Sequence, residues 1–449
     1  MSICLILLIS IIASADPGKP AKAQSLFNGK DLKGWKQLNG KAKYEVRNGE
    51  IIGTTVPNEP NSFLATEKDY GDFILEVEFR VDSPMNSGIQ FRSQSKPDYM
   101  NGRVHGYQIE IDPSPRAYSG GIYDEARRGW LYTLESNPKA KSAFKNGRWN
   151  KYRVECFGNS IRTWVNGAPA AWVIDDMTPK GFIALQVHGI GKDDRPGKQI
   201  RWKNIYLQTE NIRASPADPI FIVNMVPNTI SAEEEKRGYR LLWDGLTAKG
   251  WRGAYKERFP EKGWEIKEGA LHVLPSGGRE AAHGGDIVTE KKFSAFDLQF
   301  EFRLTDSANS GLKYFVTEKE NNSGSAIGLE YQILDDATHP DAKMGAVGNR
   351  LMGALYDLIP PVKFPNSKRK IGEWNTGRIV VYPDNRVEHW HNGFKVVEYQ
   401  RGTPIFHALV ARSKYVNWKD FGMATEGSIL LQDHGNRVSF RSIKIKELR

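Results

Sequence analysis

The clearest pattern in the chain is a strand whose apolar and polar side chains alternate, and this strand returns later in the sequence. Residues 106–112 spell Gly-Tyr-Gln-Ile-Glu-Ile-Asp, so the apolar side chains point to one face and the amide and carboxyl groups to the other. Residues 328–336 spell Gly-Leu-Glu-Tyr-Gln-Ile-Leu-Asp-Asp, with a similar alternation. Because a row of acid and amide groups is unusual on a strand that only packs, we expect each polar face to line a site.

Both polar strands lie between the same neighbouring motifs. An Asn-Ser-Gly strand precedes each of them, at 86–88 and 309–311, and a Gly-x-x-Tyr-Asp segment follows. Further motifs repeat in the same order in both halves, namely Leu-Phe/Trp-Asn/Asp-Gly, Trp-Asn, Asn-Gly and Gln-x-His-Gly. The chain therefore contains one fold used twice.

The remaining patterning predicts short antiparallel strands and little helix. Residues 73–81 and 296–304 alternate strictly, and hairpins are expected where apolar runs flank Asn-Gly or Glu-Gly turns. The one short helix that we predict is 232–236, capped by Ser231. The fold class is therefore all-β, with two tandem jelly-roll β-sandwiches that each have a concave face. We place the first domain at 24–210, a proline-containing linker at 211–238 and the second domain at 239–449.

The first residues predict export. Residues 1–15 are apolar and uncharged, too short to span a bilayer, and end in Ala-Ser-Ala, which is typical of a signal-peptide cleavage site, although a positive start is missing. Cleavage would remove Cys4 and leave Cys156 without an internal disulfide partner. No later stretch is long and apolar enough to cross a membrane.

Composition narrows the function classes only modestly. The formal net charge is +10, but the basic residues are mixed with acids and no nucleic-acid-binding motif accompanies the one basic cluster at 368–370. No Gly-x-Gly-x-x-Gly follows a strand, so the chain has no nicotinamide fingerprint. The 12 Trp and 17 Tyr suit the stacking of sugar rings, and they equally suit sandwich cores.

The ordered set of motifs resembles the 3-keto-disaccharide hydrolase family, the 3-keto-glucoside 1,2-lyase / 3-keto-2-hydroxy-glucal hydratase domain. The resemblance covers nearly all of the mature chain as two tandem copies. It implies a concanavalin A-like jelly roll and a secreted or periplasmic bacterial protein. It also implies a 3-keto-sugar or oligosaccharide substrate that a separate sugar 3-oxidoreductase has already oxidised.

A 3-keto group makes the C2 proton acidic, so a base could remove it and the C1 substituent could leave by β-elimination before water adds. We expect Glu110 or His188 to be this base in copy one, with Glu330 and His434 as counterparts in copy two. Other polar side chains are expected to contact substrate: Arg92, Gln108, Asp112, Tyr123 and Gln186 in copy one, and Lys313, Gln332, Asp336, Tyr356 and Gln432 in copy two. Among these, we expect Arg92 to face the ketone oxygen, and Gln108 and Asp112 to orient the substrate.

The alignment of the two polar strands stays open at this level. Matching Gln108 to Gln332 places Glu110 opposite Leu334, whereas matching Glu110 to Gln332 places Gln108 opposite Glu330. Because neither alignment preserves the full polar set, the copies could divide the labour, with one catalytic and the other mainly binding.

Three other interpretations remain. His389 and His391 lie on one strand face and form a weak candidate pair for a divalent metal, although no cofactor is certain. A retaining glycosidase would use Glu110 and Asp112, whose backbones lie about 6.6 Å apart on one strand, against the roughly 5–5.5 Å between carboxyl groups that this mechanism needs. A non-catalytic, lectin-like module would need only aromatic and polar side chains on a concave sheet.

Overall fold

The computed structural model describes residues 23–319, 325–365, 367 and 369–449, so the predicted signal peptide at 1–15 lies outside the described residues. The chain forms two all-β sandwiches in tandem. We call the part built from residues 24–208 unit one and the part built from residues 240–447 unit two.

Unit one is a sandwich of a larger and a smaller antiparallel sheet. Its strands are β1 (Gln24–Ser25), β2 (Trp35–Asn39), β3 (Lys43–Arg47), β4 (Glu50–Thr54), β5 (Ser62–Thr66), β6 (Phe73–Val81), β7 (Ser87–Gln94), β8 (His105–Ile111), β9 (Ile122–Glu125), β10 (Gly129–Tyr132), β11 (Asn150–Phe157), β12 (Ser160–Val165), β13 (Ala168–Ile174), β14 (Phe182–Val187) and β15 (Gln199–Gln208). The smaller sheet has the order β10-β9-β8-β7-β14-β5-β2, and the larger sheet runs β13-β12-β11-β6-β15-β4-β3 with β1 beside β15. The predicted polar strand, β8, therefore lies inside the smaller sheet.

Unit two repeats this arrangement with fewer strands, after a connection that carries β16 (Val223–Asn224). Its strands are β17 (Arg240–Leu241), β18 (Trp251–Gly253), β19 (Trp264–Lys267), β20 (Ala270–Val273), β21 (Ile287–Thr289), β22 (Phe296–Leu304), β23 (Asn309–Val316), β24 (Leu329–Leu334), β25 (Asn375–Val381), β26 (Arg386–His391), β27 (Phe394–Gln400), β28 (Ser428–Leu431) and β29 (Val438–Glu447). One sheet runs β19-β20-β29-β22-β25-β26-β27 with β17 beside β29, and the other runs β18-β21-β28-β23-β24. Strand β24 is thus the counterpart of β8.

The alternation predicted for the polar strands is confirmed. In β8, Tyr107, Ile109 and Ile111 are fully buried in the core. The strictly alternating segments form β6 and β22 with the predicted bounds. The Asn-Gly turn at 166–167 has positive φ at both residues, which is the two-residue geometry that matches the twist of a hairpin.

Helices are few, as expected, and one of them was predicted correctly. The helix α2 (Ala232–Lys236) begins with the capping box of Ser231 and Glu234. The sequence analysis missed α1 (Pro138–Ala143), α3 (Pro404–Ala411) and a 3-10 helix (Pro340–Lys343). No helix of the described residues is long and apolar enough to cross a membrane.

The two units contact each other along the edge of unit one's smaller sheet. Thr133 Oγ1 donates a hydrogen bond to the Gly393 carbonyl oxygen at 2.7 Å, and Arg369 Nη2 donates to the Trp130 carbonyl oxygen at 3.0 Å. Because Trp130 lies on the edge strand β10, a loop of unit two reaches the side of the sheet that carries β8.

Candidate active site

A polar cavity of about 520 Å³ lies at the polar face of β8 in unit one. Gln108 and Glu110 of β8 line it together with Gln186 of β14. Tyr123 and His188 line it as well, so five of the sequence-predicted site residues come together at one cavity.

A chain of side-chain hydrogen bonds ends on Glu110. Ser93 Oγ donates to Gln90 Oε1 (2.7 Å), Gln90 Nε2 donates to Gln108 Oε1 (2.6 Å), and Gln108 Nε2 donates to Glu110 Oε2 (2.7 Å). Each amide accepts at its oxygen, so its nitrogen must point onward, and the orientation of every group is fixed. The chain therefore holds the Glu110 carboxylate in one position.

Burial makes the carboxyl group of Glu110 a weaker acid than usual. Removal from water raises the pKa of Glu110 to about 7, against the opposing effect of hydrogen bonds from Asn86 and Gln108. Asn86 Nδ2 donates to the other carboxylate oxygen, Oε1, at 2.7 Å. A carboxyl group with a pKa near neutrality can accept and return a proton at physiological pH, which is what a general base requires.

The Asn-Ser-Gly motif supports this cavity with all three of its residues. Asn86 binds Glu110, and Ser87 Oγ donates to the Gln186 carbonyl oxygen at 2.7 Å, which joins β7 to β14. A Cβ atom on Gly88 would lie 2.2 Å from the side chain of Gln108, so only glycine leaves room for it. The motif is thus part of the construction of the site.

Arg116, which the sequence analysis did not single out, lies beside Glu110. Its Nη2 atom is 4.0 Å from Glu110 Oε1, and its Nε atom donates to Asp112 Oδ2 at 2.7 Å. The guanidinium carbon also lies 5.1 Å from the ring centroid of Tyr118 and 5.2 Å from that of Trp130. Asp112 therefore holds Arg116 in place, whereas we had expected Asp112 itself to orient substrate.

Three more side chains face the cavity, namely Glu125, His188 and Gln186. Burial raises the pKa of Glu125, and the charges of Arg103 and His188 oppose that rise. His188 is exposed, and its Nδ1 atom lies 2.7 Å from the Gly189 carbonyl oxygen, which leaves Nε2 as the ring atom available for proton transfer. Gln186 Oε1 is buried and has no hydrogen-bond partner among the described residues. An unpartnered oxygen on the wall of a polar cavity suits a ligand hydroxyl group.

The structure places Arg92 away from the cavity, contrary to the expectation that it faces a ketone oxygen. The side chain is 1% exposed and donates to the carbonyl oxygens of Gly71 and Gly158 and to Asp72 Oδ1. Arg92 has a φ of 45°, and the pairing of β7 with β8 is irregular there. The side chain of Arg92 therefore lies against the loop that precedes β6 and the turn that follows β11.

The strand register settles the alignment of the two units. Gly88 pairs with Glu110 and Gly311 pairs with Gln332, so Gln332 takes the position of Glu110. Gln90 pairs with Gln108 and Lys313 with Glu330. The amide and the carboxylate have therefore exchanged places, and a lysine replaces Gln90.

This exchange gives unit two a different set of buried charges. Lys313 Nζ donates to Ser325 Oγ (2.6 Å) and to the Ala326 carbonyl oxygen (3.0 Å), and lies 3.9 Å from Glu280 Oε1. Burial alone would lower the pKa of Lys313, but nearby carboxylates, Glu330 foremost, raise it above its ordinary value. Burial raises the pKa of Glu330 to about 7, against the opposing charge of Lys313. Lys313 thus stays charged and is held by residues of its own unit.

The remaining predicted residues of unit two are spread over several environments. Gln432 Nε2 donates to Glu280 Oε1 (2.8 Å), and His434 Nε2 lies 3.3 Å from Asn309 Nδ2. Tyr356 donates to Asp341 Oδ2 at 2.9 Å. Asp336 lines a separate cavity of about 190 Å³. Only part of the predicted set therefore gathers near Glu330.

The candidate metal pair has no third ligand in the described part of the chain. His389 Nε2 lies 2.9 Å from Tyr314 Oη, and burial lowers the pKa of His389 to about 4. His391 Nδ1 lies 3.2 Å from Tyr331 Oη. Among the described residues no group of three or more His, Cys, Asp or Glu side chains could hold a metal ion.

Fold and site together define a tandem jelly-roll protein with a buried carboxylate at a polar cavity. Comparisons with known proteins make the assignment more specific. The 3-keto-alpha-glucoside-1,2-lyase-like domain matches residues 22–208 and 238–446, and the chain belongs to this family.

Two relatives illustrate the similarity. The chain is 38% identical over 232 residues to the 3-keto-disaccharide hydrolase of Bacteroides thetaiotaomicron, covering 47% of this chain and 79% of that protein. A crystal structure of a candidate glycosyl hydrolase from Parabacteroides distasonis ATCC 8503 is 29% identical, with a TM-score of 0.43, and the match covers 50% of this chain and 100% of that one.

Proposed function

We propose that the protein hydrolyses 3-keto-disaccharides or related 3-keto-glycosides, and that unit one carries the chemistry. The observation that carries this proposal is the Glu110 carboxyl group, with a pKa of about 7, fixed at a cavity of about 520 Å³. Family membership and the name of the Bacteroides relative support the substrate class.

The net hydrolysis is a lyase step followed by a hydratase step. The Glu110 carboxylate takes the C2 proton, and the C–H electron pair forms an enolate with the C3 ketone. The ketone then re-forms, a C1=C2 double bond appears, and the C1–O bond breaks. Water adds to C1 and a proton returns to C2, which yields the free 3-keto-sugar and the released alcohol.

The other residues of the cavity have roles that follow from their positions. Arg116, beside Glu110, stabilises the negative charge on the enolate oxygen, the role that we had expected of Arg92. His188 supplies the proton to the departing oxygen. Gln186 accepts a hydrogen bond from a sugar hydroxyl through its unpartnered oxygen, as the sequence predicted for a substrate-binding residue.

The test compares a chromogenic 3-keto-glucoside with the matched unoxidised glucoside, each with and without EDTA. Release of the chromophore from the keto-sugar alone supports the proposal. Release from the plain glucoside would contradict it and favour the carboxylate-pair glycosidase. Binding without release from either substrate would favour the lectin-like module. Loss of activity with EDTA would reveal a metal requirement.

Export and an upstream oxidoreductase are part of the same proposal. The apolar start of the chain supports export, and the substrate must be oxidised at C3 before this protein can act on it. Mass measurement of the protein secreted by a bacterial host tests the first point, because cleavage after Ala15 predicts a mature chain that begins at Asp16.

A further inference from the structure

One arginine of the unit-one cavity comes from unit two. Arg369 lines the cavity together with Glu110, although it belongs to the loop that precedes β25. Its Nη2 atom donates to the Trp130 carbonyl oxygen at 3.0 Å, its one hydrogen bond to a described residue. Its remaining N–H groups are thus available to a ligand.

The interface holds this arginine close to the site. Thr133 Oγ1 donates to the Gly393 carbonyl oxygen at 2.7 Å. Thr133 directly follows β10, the strand that contains Trp130. The ring centroids of Tyr118 and Phe394 lie 6.4 Å apart across the same boundary. These two contacts, both made at the turn between β26 and β27, and the hydrogen bond of Arg369 hold unit two against the edge strand β10.

The sheet order gives the spacing between β10, which Arg369 contacts, and β8, which carries Glu110. Gln108 of β8 pairs with Tyr123 of β9, and Tyr123 pairs with Trp130 of β10, the strand that Arg369 contacts. Adjacent strands lie about 4.8 Å apart, so Arg369 approaches the sheet roughly 10 Å from the strand that carries Glu110. A keto-sugar ring placed at Glu110 fills the nearer half of this distance, and Arg369 meets the part of the substrate beyond it.

Arg369 also differs from the other arginines of the cavity in its ion pairing. Arg116 pairs with Asp112 at 2.7 Å and Arg103 with Glu125 at 3.4 Å. No carboxylate of a described residue makes an ion pair with Arg369. Burial lowers the pKa of Arg369 and the charge of Arg128 acts in the same direction, whereas the carboxylates of Glu373 and Asp124 oppose both effects. A bound anion would relieve both effects, because guanidinium groups pair strongly with carboxylate, sulfate and phosphate.

We propose that Arg369 of unit two binds a negatively charged substituent on the leaving part of the substrate, so that unit two completes the active site of unit one. This inference rests on the proposed function and adds to it a substrate class: 3-keto-glycosides whose leaving group is anionic. It also gives the second sandwich a task at the site of the first.

The experiment uses two matched leaving groups on a 3-keto-glucoside, carboxyphenyl and its neutral isostere carbamoylphenyl. The full-length wild-type protein is compared with Arg369→Gln and with the control Lys370→Gln, which removes an exposed charge from the same loop. The wild type should show a KM for the carboxyphenyl substrate about tenfold lower or more, as expected for a charge-assisted hydrogen bond. Arg369→Gln should abolish this preference, and Lys370→Gln should keep it.

A second readout needs no turnover. Calorimetry measures binding of the unoxidised carboxyphenyl and carbamoylphenyl glucosides to the same three proteins, and Arg369→Gln should again lose the preference for the anion. No preference in the wild type, or an equal change for both ligands in Arg369→Gln, would overturn the role of Arg369. Absence of turnover with an intact binding preference would instead contradict the proposed function and leave the anion site standing.

Discussion

Unit one and unit two each place one amide and one carboxylate at the same two strand positions, with the two groups exchanged. In unit one, Gln108 donates to the carboxylate of Glu110 beside a cavity of about 520 Å³. In unit two, with its amide oriented to satisfy its neighbours, Gln332 donates to Glu330 Oε1 at 3.1 Å. One exchange of amide and carboxylate therefore moves the acid by two positions along the strand.

The residue opposite this pair reinforces the difference. Gln90 continues a neutral chain of amides, whereas Lys313 introduces a buried cation among the carboxylates of Glu330, Glu280 and Asp286. The neutral chain places no cation among the strand neighbours of Glu110, while Lys313 balances the charge of Glu330 within unit two. A duplicated strand can therefore keep its amide and its carboxylate and still surround the carboxylate with different charges.

The largest expected effect comes from exchanging the acid of each unit for its amide. Glu110→Gln should lower kcat by about 10²- to 10⁴-fold, the usual contribution of a general base. The matched variant Glu330→Gln should leave kcat within about twofold if unit two has no catalytic base of this kind. Steady-state kinetics on a 3-keto-glucoside measures both, and equal losses in the two variants would show that both units catalyse.

The next effect concerns stability at the paired positions Gln90 and Lys313. Lys313→Met leaves buried carboxylates without their cation and should lower the free energy of unfolding by about 3–5 kcal/mol, with kcat kept below the unfolding temperature. Gln90→Met should cost only about 1–3 kcal/mol, but it should lower kcat because Gln108 is no longer oriented. Denaturant unfolding and steady-state kinetics on both variants measure these effects. A loss of kcat in Lys313→Met alone would contradict the assignment of catalysis to unit one.

The pH dependence separates the two carboxyl groups. Glu110 acts as a base only when ionised, so kcat/KM should rise with pH to a plateau above about 7. Both Glu110 and Glu330 have folded-state pKa values raised from 4.5 to about 7, so each contributes stability at low pH that is lost as the pH rises through about 7.

Glu330→Gln should therefore leave the pH profile of kcat/KM unchanged while it reduces the loss of stability between pH 4.5 and 7. Activity and unfolding measured over the same buffers test this pair of outcomes. A shifted pH profile of kcat/KM in Glu330→Gln would show that Glu330 takes part in catalysis.

The smallest expected effect concerns Arg92, which the sequence placed at the substrate. Arg92→Lys should lower the free energy of unfolding by about 1–3 kcal/mol through its lost hydrogen bonds, with KM unchanged. Arg116→Lys, at the cavity, should instead lower kcat with little loss of stability. Parallel kinetics and unfolding distinguish the two arginines, and a raised KM in Arg92→Lys would restore its predicted role.

The sequence carried enough information for the fold and for five residues of the cavity wall. Alternation predicted that Gln108 and Glu110 share one face, and the repeated Gln-x-His motif pointed to Gln186 and His188. These predictions worked because strand periodicity is local and depends on neighbouring residues only.

The rest depends on geometry that periodicity does not contain. The sequence left open whether Gln332 corresponds to Gln108 or to Glu110, whereas the register, in which Gly88 pairs with Glu110 and Gly311 with Gln332, matches Gln332 to Glu110. Arg92 follows the strand pattern until its positive φ turns it away. Arg116 and Arg369 lie in loops, and their places at the cavity depend on tertiary contacts. One usable signal was overlooked: Glu125 directly follows the repeated Tyr-Asp.

The central claim is that catalysis begins with removal of the C2 proton at unit one. The most direct test is the kinetic isotope effect on release from a C2-deuterated 3-keto-glucoside, measured above pH 7 with the wild type and with Glu330→Gln. Both proteins should show slower release from the deuterated substrate, by about twofold or more where proton removal limits the rate, and Glu110→Gln should release little from either substrate. Equal rates for the two substrates in single-turnover experiments, or loss of release in Glu330→Gln, would contradict the account.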